Sequence, residues 1–137
     1  MLVKTRGIVL SSIKYRETSI ISKMYTEALG VQSYIVNGVR RQKPGGRIAL
    51  FQPFTLLDMV VYTSARGGLT RISEFRSAHP FSSIPFDIRK SSMVLFLSEV
   101  VARTIKEEEE NTALFHFLYN AVVTFDAMDS GYENFHL

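Results

Sequence analysis

The sequence predicts two kinds of structure in one chain: a front half of short β-strands that closes into a small barrel, and a back half of α-helices. Three observations predict it. Up to Arg76 the apolar residues fall in short β-branched and aliphatic runs separated by glycine-bearing turns. From Asp87 onward they recur every three to four residues. Pro80 and Pro85 stand where the period changes.

Leu2 to Ile13 reads as the first strand. Leu2, Lys4, Arg6, Ile8 and Leu10 share one parity and Val3, Thr5, Gly7 and Val9 the other, so cations and apolar residues share a face. Thr18 to Tyr25 is the second strand, carrying Ile20, Ile21, Met24 and Tyr25. Ala28-Leu29-Gly30 turns the chain into a third, Val31 to Val39, bracketed by Gly30 and Gly38 where tight connections require positive φ. Thr55 to Tyr62 is an apolar run broken only by Asp58, as a central strand would be. Gly67-Gly68 signals a hairpin into a fifth strand, Leu69 to Arg76.

In the back half Met93, Leu97, Val100, Val101 and Ile105 lie at helical spacing, with Phe96 widening the stripe and Asp87 as N-cap. Asn111 caps a second helix whose face holds Leu114, Leu118, Ala121, Val122 and Phe125. The run Glu107–Glu110 precedes it, where negative charge favours the helix dipole. Two helices joined by a short acidic turn form an αα-hairpin whose apolar faces need a partner surface. The pattern beginning at Tyr132 and reaching Phe135 and Leu137 starts another helix and stops, as expected of a fragment of a longer chain.

Charge is divided as sharply as period. Residues 1–80 hold twelve Lys/Arg against four Asp/Glu, a balance of +8, and residues 81–137 hold four against nine, a balance of −5. The front half therefore attracts polyanions and the back half does not. The densest stretch is Arg40-Arg41-Gln42-Lys43-Pro44-Gly45-Gly46-Arg47, a basic loop between the third and fourth strands of the kind that holds a phosphate backbone. With 46% apolar and 21% charged residues the chain has the material for a core. Cysteine is absent, which removes disulfides and thiolate chemistry and fits a reducing compartment. No apolar run approaches the roughly 18 residues of a membrane-spanning helix, and Gly7-Ile8-Val9-Leu10 is too short for a signal core. The expectation is a soluble cytoplasmic protein.

Five short strands, a basic loop after the third and then helices form the pattern of a five-stranded OB-fold barrel over residues 1–80, followed by an α-helical hairpin in a truncated helical region over residues 81–137. Arg40, Arg41, Lys43 and Arg47 are expected on the rim of the nucleic-acid face, since a half-domain at +8 carries more charge than solubility needs. Lys4 and Arg6, with Lys14, Arg16 and Lys23, extend the same patch. Tyr15, Tyr25, Tyr34, Phe51 and Phe54 are candidate base-stacking platforms, although small barrels tend to bury such side chains. Tyr34 is the preferred one because it sits one pleat from the basic loop.

Catalysis has little support. His79, His116 and His136 have no metal-ligand spacing, and Lys43-Pro44-Gly45-Gly46 places its lysine on the wrong side for a phosphate-binding loop. No active site, metal or cofactor is expected.

Gly7-Ile8-Val9-Leu10, Tyr15-Arg16-Glu17, Thr26-Glu27-Ala28-Leu29-Gly30, Asn37-Gly38-Val39-Arg40-Arg41 and Leu50-Phe51-Gln52-Pro53-Phe54 occur in an order that resembles the bacterial RecO recombination mediators. The resemblance covers essentially all 137 residues: the family's N-terminal OB domain and the start of its helical domain. Family members are longer, and many carry a four-cysteine zinc site in their C-terminal part. The resemblance implies a non-catalytic protein that binds single- and double-stranded DNA and anneals complementary strands without ATP. It further implies action with RecR to load RecA onto strands coated with single-strand DNA-binding protein. Arg40, Arg41 and Lys43 match the family's basic segment after the third strand. A protein-interaction adaptor whose basic loop steers an acidic partner tail is the alternative, and an RNA-binding OB domain is excluded only through the resemblance.

Overall fold

In the computed structural model, which describes residues 1–41, 47–105 and 110–129, the front half forms five strands. They are β1 (Leu2–Tyr15), β2 (Ser19–Thr26), β3 (Gly30–Val36), β4 (Leu56–Tyr62) and β5 (Thr70–Ser77). They close into a barrel in the order β1-β2-β3-β5-β4, with β3 and β5 parallel and every other pair antiparallel. This is the OB arrangement that the pattern predicted. The third strand stops at Val36, earlier than expected, because the chain then turns through Gly38 at φ 72°. Gly67 and Gly68 also have positive φ, in the connection from β4 to β5.

β1 is long because it pairs twice. Leu2 to Ile8 pair with β4, and Gly7 to Tyr15 pair with β2. The register slips between Val9 and Ser11, and that irregularity reverses which parity faces the lumen. Before it Val3 and Val9 point inward; after it Ile13 points outward and is 64% exposed.

The lumen is filled by Val9, Ile20, Met24, Leu57, Met59 and Val61, among others. A 3-10 turn, Arg47–Phe51, brings Phe51 against this core, its ring 4.9 Å from that of Phe75 in an edge-to-face pair. A second apolar cluster forms outside the barrel. There Ile8, Leu10, Tyr25, Val31 and Leu56 meet residues of two helices, α1 (Ile88–Thr104) and α2 (Thr112–Ala127). The hairpin thus finds its partner surface on the barrel itself.

Both helix starts are as expected. The Asp87 carboxylate accepts from the N–H of Arg89 and Lys90, and the Asn111 side chain accepts from the Leu114 N–H. The helix faces differ from the apolar stripe. On α1 Phe96 and Val100 are 66% and 40% exposed, whereas Lys90, Val94, Ser98, Val101 and Ala102 are buried. On α2 the buried set is Phe115, Leu118, Val122, Phe125 and Asp126. Lys90, Ser98 and Asp126 have polar partners inside the fold, which an apolar count cannot register. Most of the Glu107–Glu110 run and the pattern from Tyr132 lie outside the described residues.

Two polar junctions fix the hairpin. At the first, the Asp126 carboxylate accepts from the backbone N–H of Ser82, Ser83 and Ile84, from both serine hydroxyls and from His79 Nε2. Lys90 Nζ donates to Ser83 Oγ at 2.7 Å and to the Met128 carbonyl. At the second, Arg6 forms a two-pronged pair with Glu27 at 3.0 and 2.9 Å, and His116 Nε2 lies 2.7 Å from Glu27 Oε2. The Arg6 guanidinium also stacks 4.5 Å from the Tyr119 ring, joining β1, the β2–β3 connection and α2.

Candidate nucleic-acid interface

The turn after β3 is docked on the β1–β2 connection. Arg40 N–H donates to the Thr18 carbonyl at 2.9 Å, and its guanidinium Nη1 donates to the carbonyls of Arg16 and Ser19. This brings Arg40 beside Arg16, which the first hairpin carries, while Arg41 folds back over Gly38 in the same turn. Lys14 and Arg40 share the lining of a groove of about 380 Å³ between the end of β1, the 3-10 turn and α1. Lys14, Arg16 and Arg41 are exposed and Arg40 is partly buried, a basic rim whose groove is also lined by Glu99 of α1.

Other expected site residues are elsewhere. Tyr34 is a correction: its side chain points into the lumen and is 1% exposed, because its position on β3 has inward parity. Among the described residues its hydroxyl has no hydrogen-bond partner, and burial pushes its pKa up to about 12. Tyr25, Phe51 and Phe54 are buried as well. Arg6 is a second correction, being held by Glu27 and Tyr119 rather than offered to solvent. Arg6 holds Glu27 down to about 2, with His116 adding to the effect against the opposing influence of burial.

Lys23 is likewise occupied, donating from Nζ to the Ala102 carbonyl near the end of α1 at 2.6 Å. Lys4 is exposed but lies opposite Val60 of β4, before the part of β1 that pairs with β2. Arg47 is exposed with its guanidinium 4.1 Å above the Phe75 ring. Lys43 lies outside the described residues.

Register places a different set together on the outer surface. Ile13 pairs with Ile21, Ile21 with Ile35 and Ile35 with Arg71, giving one row across β1, β2, β3 and β5. Tyr15 stands one outward step beyond Ile13, with the Arg16 guanidinium 5.0 Å from its ring centre. Arg71 stacks at 5.1 Å on Tyr62. The sequence placed Tyr15 among the stacking candidates but preferred Tyr34 for its nearness to the basic loop, and ended the first strand at Ile13, short of Tyr15. The register slip at Leu10 is what exposes it.

A larger apolar cleft of about 690 Å³ lies between the 3-10 turn Arg47–Phe51 and the start of α1. Among the described residues no Asp, Glu, Lys or Arg lines it. Among the described residues no cluster of three or more His, Asp or Glu is placed to hold a metal, and no helix is long and apolar enough to cross a membrane.

Against this geometry, comparison with known proteins is decisive about ancestry. The family model described as Recombination protein O N terminal matches residues 1–81, and that described as Recombination protein O C terminal matches residues 85–137. The chain belongs to the RecO family. It is 42% identical over 137 residues to the DNA repair protein RecO of Bacteroides fragilis, covering all of this chain and 57% of that protein. It is 42% identical over 138 residues to that of Flavobacterium psychrophilum, covering all of this chain and 58% of the relative. Against the Streptococcus suis protein the identity is 31% over 131 residues, 96% of this chain and 48% of the other. This RecO-family chain therefore spans a little over half the length of its first relatives, and its barrel and rim belong to a family of DNA repair proteins.

Proposed function

We propose that the chain is the DNA-binding part of a non-catalytic mediator of recombinational repair in the cytoplasm. The rim formed by Arg16, Arg40 and Arg41, with Lys43 two residues further along the sequence, holds the sugar-phosphate backbone of single- and double-stranded DNA. The observation that carries this reading is the docking of the Arg40 turn onto the Arg16 hairpin, which concentrates cations from two separate stretches of sequence. Contacts to phosphate are indifferent to base sequence, as a protein acting at any break requires. Neutralising two polyanions at one rim lowers the repulsion between complementary strands, and that is the basis for annealing without ATP. Family membership supports the further roles, action with RecR and with single-strand DNA-binding protein to load RecA. The barrel over residues 1–80 serves the DNA, and the helices α1 and α2 of the following region brace it.

The test is the salt dependence of single-strand binding by fluorescence anisotropy. Arg16→Ala and Arg41→Ala should each reduce the slope of log K against log salt by roughly 0.7, while Arg6→Ala leaves it unchanged. An unchanged slope in the Arg16→Ala/Arg41→Ala double variant removes the rim from the interface. If an acidic peptide binds and DNA does not, the protein is an adaptor for an acidic tail.

A further inference from the structure

The barrel closes weakly at one seam. β3 and β5 share only two register pairs, Tyr34 with Thr70 and Ile35 with Arg71, and from Ile72 to Ser77 β5 is paired on its β4 side alone. The bond from the Ala78 N–H to the Leu56 carbonyl, at 2.9 Å, sets the phase of the β4–β5 ladder. Ala78, Arg76 and Glu74 therefore direct their backbone groups to β4, and those of Phe75 and Ser77 turn to the open side. Among the described residues nothing there bonds the backbone of Phe75 or Ser77. The 3-10 turn reaches Phe75 with side chains, the Phe51 ring and the Arg47 guanidinium.

The side chains along this edge are symmetric in size and opposite in charge about Phe75: Ser73-Glu74-Phe75-Arg76-Ser77. Phe75 packs toward the lumen, while Glu74 and Arg76 are exposed. Arg76 makes one long contact, Nε to Asp58 Oδ2 at 3.7 Å, with its side chain 79% exposed. Among the described residues Glu74 has no ion pair. Like charges directly opposite repel, which is one way an edge strand guards against its own copy. This edge carries the reverse pattern.

We propose that two copies of this chain join edge to edge along β5, antiparallel about a two-fold axis through Phe75. Phe75 then exchanges N–H···O=C bonds with its counterpart, and Glu74 of each copy stands opposite Arg76 of the other. That second pairing is of the non-hydrogen-bonded kind, with Cα atoms about 4.5 Å apart and side chains at their closest. Arg76 comes to lie between Asp58 on its own β4 and Glu74 of the second copy. Sliding one copy by two residues sets Glu74 against Glu74 or Arg76 against Arg76, so the charges select one register. A bulge at Ser73, the extra residue between the pairings of Val60 and Val61, ends the regular stretch and keeps the contact short. The dimer is accordingly weak. It uses no residue of the basic rim and stands independently of the DNA reading.

Sedimentation velocity without DNA, at concentrations up to about 1 mM, measures the association. Wild type should pass from monomer to dimer as concentration rises. Glu74→Lys turns both attractive pairs into repulsive ones and should raise the dissociation constant at least about fourfold. Arg76→Glu should do the same when made together with Asp58→Asn, which prevents two carboxylates from facing each other across β4 and β5. An equal mixture of these two variants should associate as wild type does, because every pair between them joins opposite signs. Recovery on mixing also shows that both variants are folded. A wild type that remains monomeric at about 1 mM overturns the proposal. So does undiminished association of Glu74→Lys, which would move the contact to another surface such as the exposed Ile88, Leu95 and Phe96 of α1. A mixture that associates no better than its components overturns it equally.

Discussion

Asp126→Ala removes the acceptor on which the hairpin's docking converges, and its cost can be worked from the contacts. The side chain is 1% exposed. Oδ1 accepts from the N–H of Ser83 and Ile84 at 3.0 Å each, and Oδ2 accepts from the Ser82 N–H at 2.9 Å and lies 3.2 Å from His79 Nε2. Truncation leaves three backbone donors without an acceptor, of which that of Ile84 is fully buried. A buried donor left unmatched costs about 1–3 kcal/mol, and water recovers part of the loss at the more open Ser82. The expected destabilisation is about 3–5 kcal/mol, a large share of the 5–15 kcal/mol typical of a domain.

Equilibrium urea unfolding followed by circular dichroism measures it, and pH supplies an independent signature. Burial pushes the Asp126 carboxyl up, but the three backbone N–H groups and His79 outweigh it and hold it well below its ordinary value of 3.8. A carboxyl depressed in the folded state adds stability that is complete above about pH 4 and is lost as pH falls further. The difference between wild type and Asp126→Ala should therefore shrink below pH 4. A loss under about 1 kcal/mol at neutral pH, or a difference that stays constant down to pH 2, refutes the reasoning.

Glu27→Gln should destabilise by about 1–2 kcal/mol at neutral pH by unpairing Arg6 and His116, since charge-assisted hydrogen bonds are the stronger kind and this pair is partly open to water. Glu27 titrates near 2 rather than 4.5, so its contribution is present above pH 4.5 and disappears toward pH 2; chemical denaturation across that window should show the step in wild type and not in the variant. Tyr34→Phe should be neutral or up to about 1 kcal/mol stabilising in the same assay, because it deletes a buried hydroxyl that has no partner. Its DNA affinity should equal that of wild type, and a weakened complex would restore Tyr34 to the interface.

The fold was legible because strands, caps and turns are written locally. Alternation located all five strands within a few residues, and Asp87 and Asn111 announced both helices by the chemistry of a single side chain each. Loss of legibility begins where partners are distant in sequence. Tyr34 sits near the basic loop along the chain, yet its parity on β3 sends it into the lumen. The slip at Leu10 sets the outward parity of Ile13 and Tyr15 in the second half of β1, and no local pattern marks that slip. Lys90 and Asp126 disturb an apolar stripe on paper, but each is satisfied by groups tens of residues away. Arg6 and Lys23 are cations whose employment by Glu27 and Ala102 only the folded chain reveals.

Those two cations change what the excess positive charge of the front half means. Counted from sequence, every Lys and Arg before Pro80 is available to a polyanion. In the fold, Arg6 and Lys23 stand on the part of the barrel wall that the helices cover, and the Arg40 guanidinium holds the loop to the first hairpin. The acidic back half is thus brought against the barrel by basic residues that would otherwise compete for phosphate. Exposed beside Arg40 are Lys14 and Arg16 on the first hairpin and Arg41 in the turn after β3, with Glu99 of α1 lining the same groove as Lys14. Helix docking therefore uses cations at one end of the face, Arg6 and Lys23, and leaves others exposed at the other end, so the charge available to a partner is set by the fold and not by the count of Lys and Arg in the sequence.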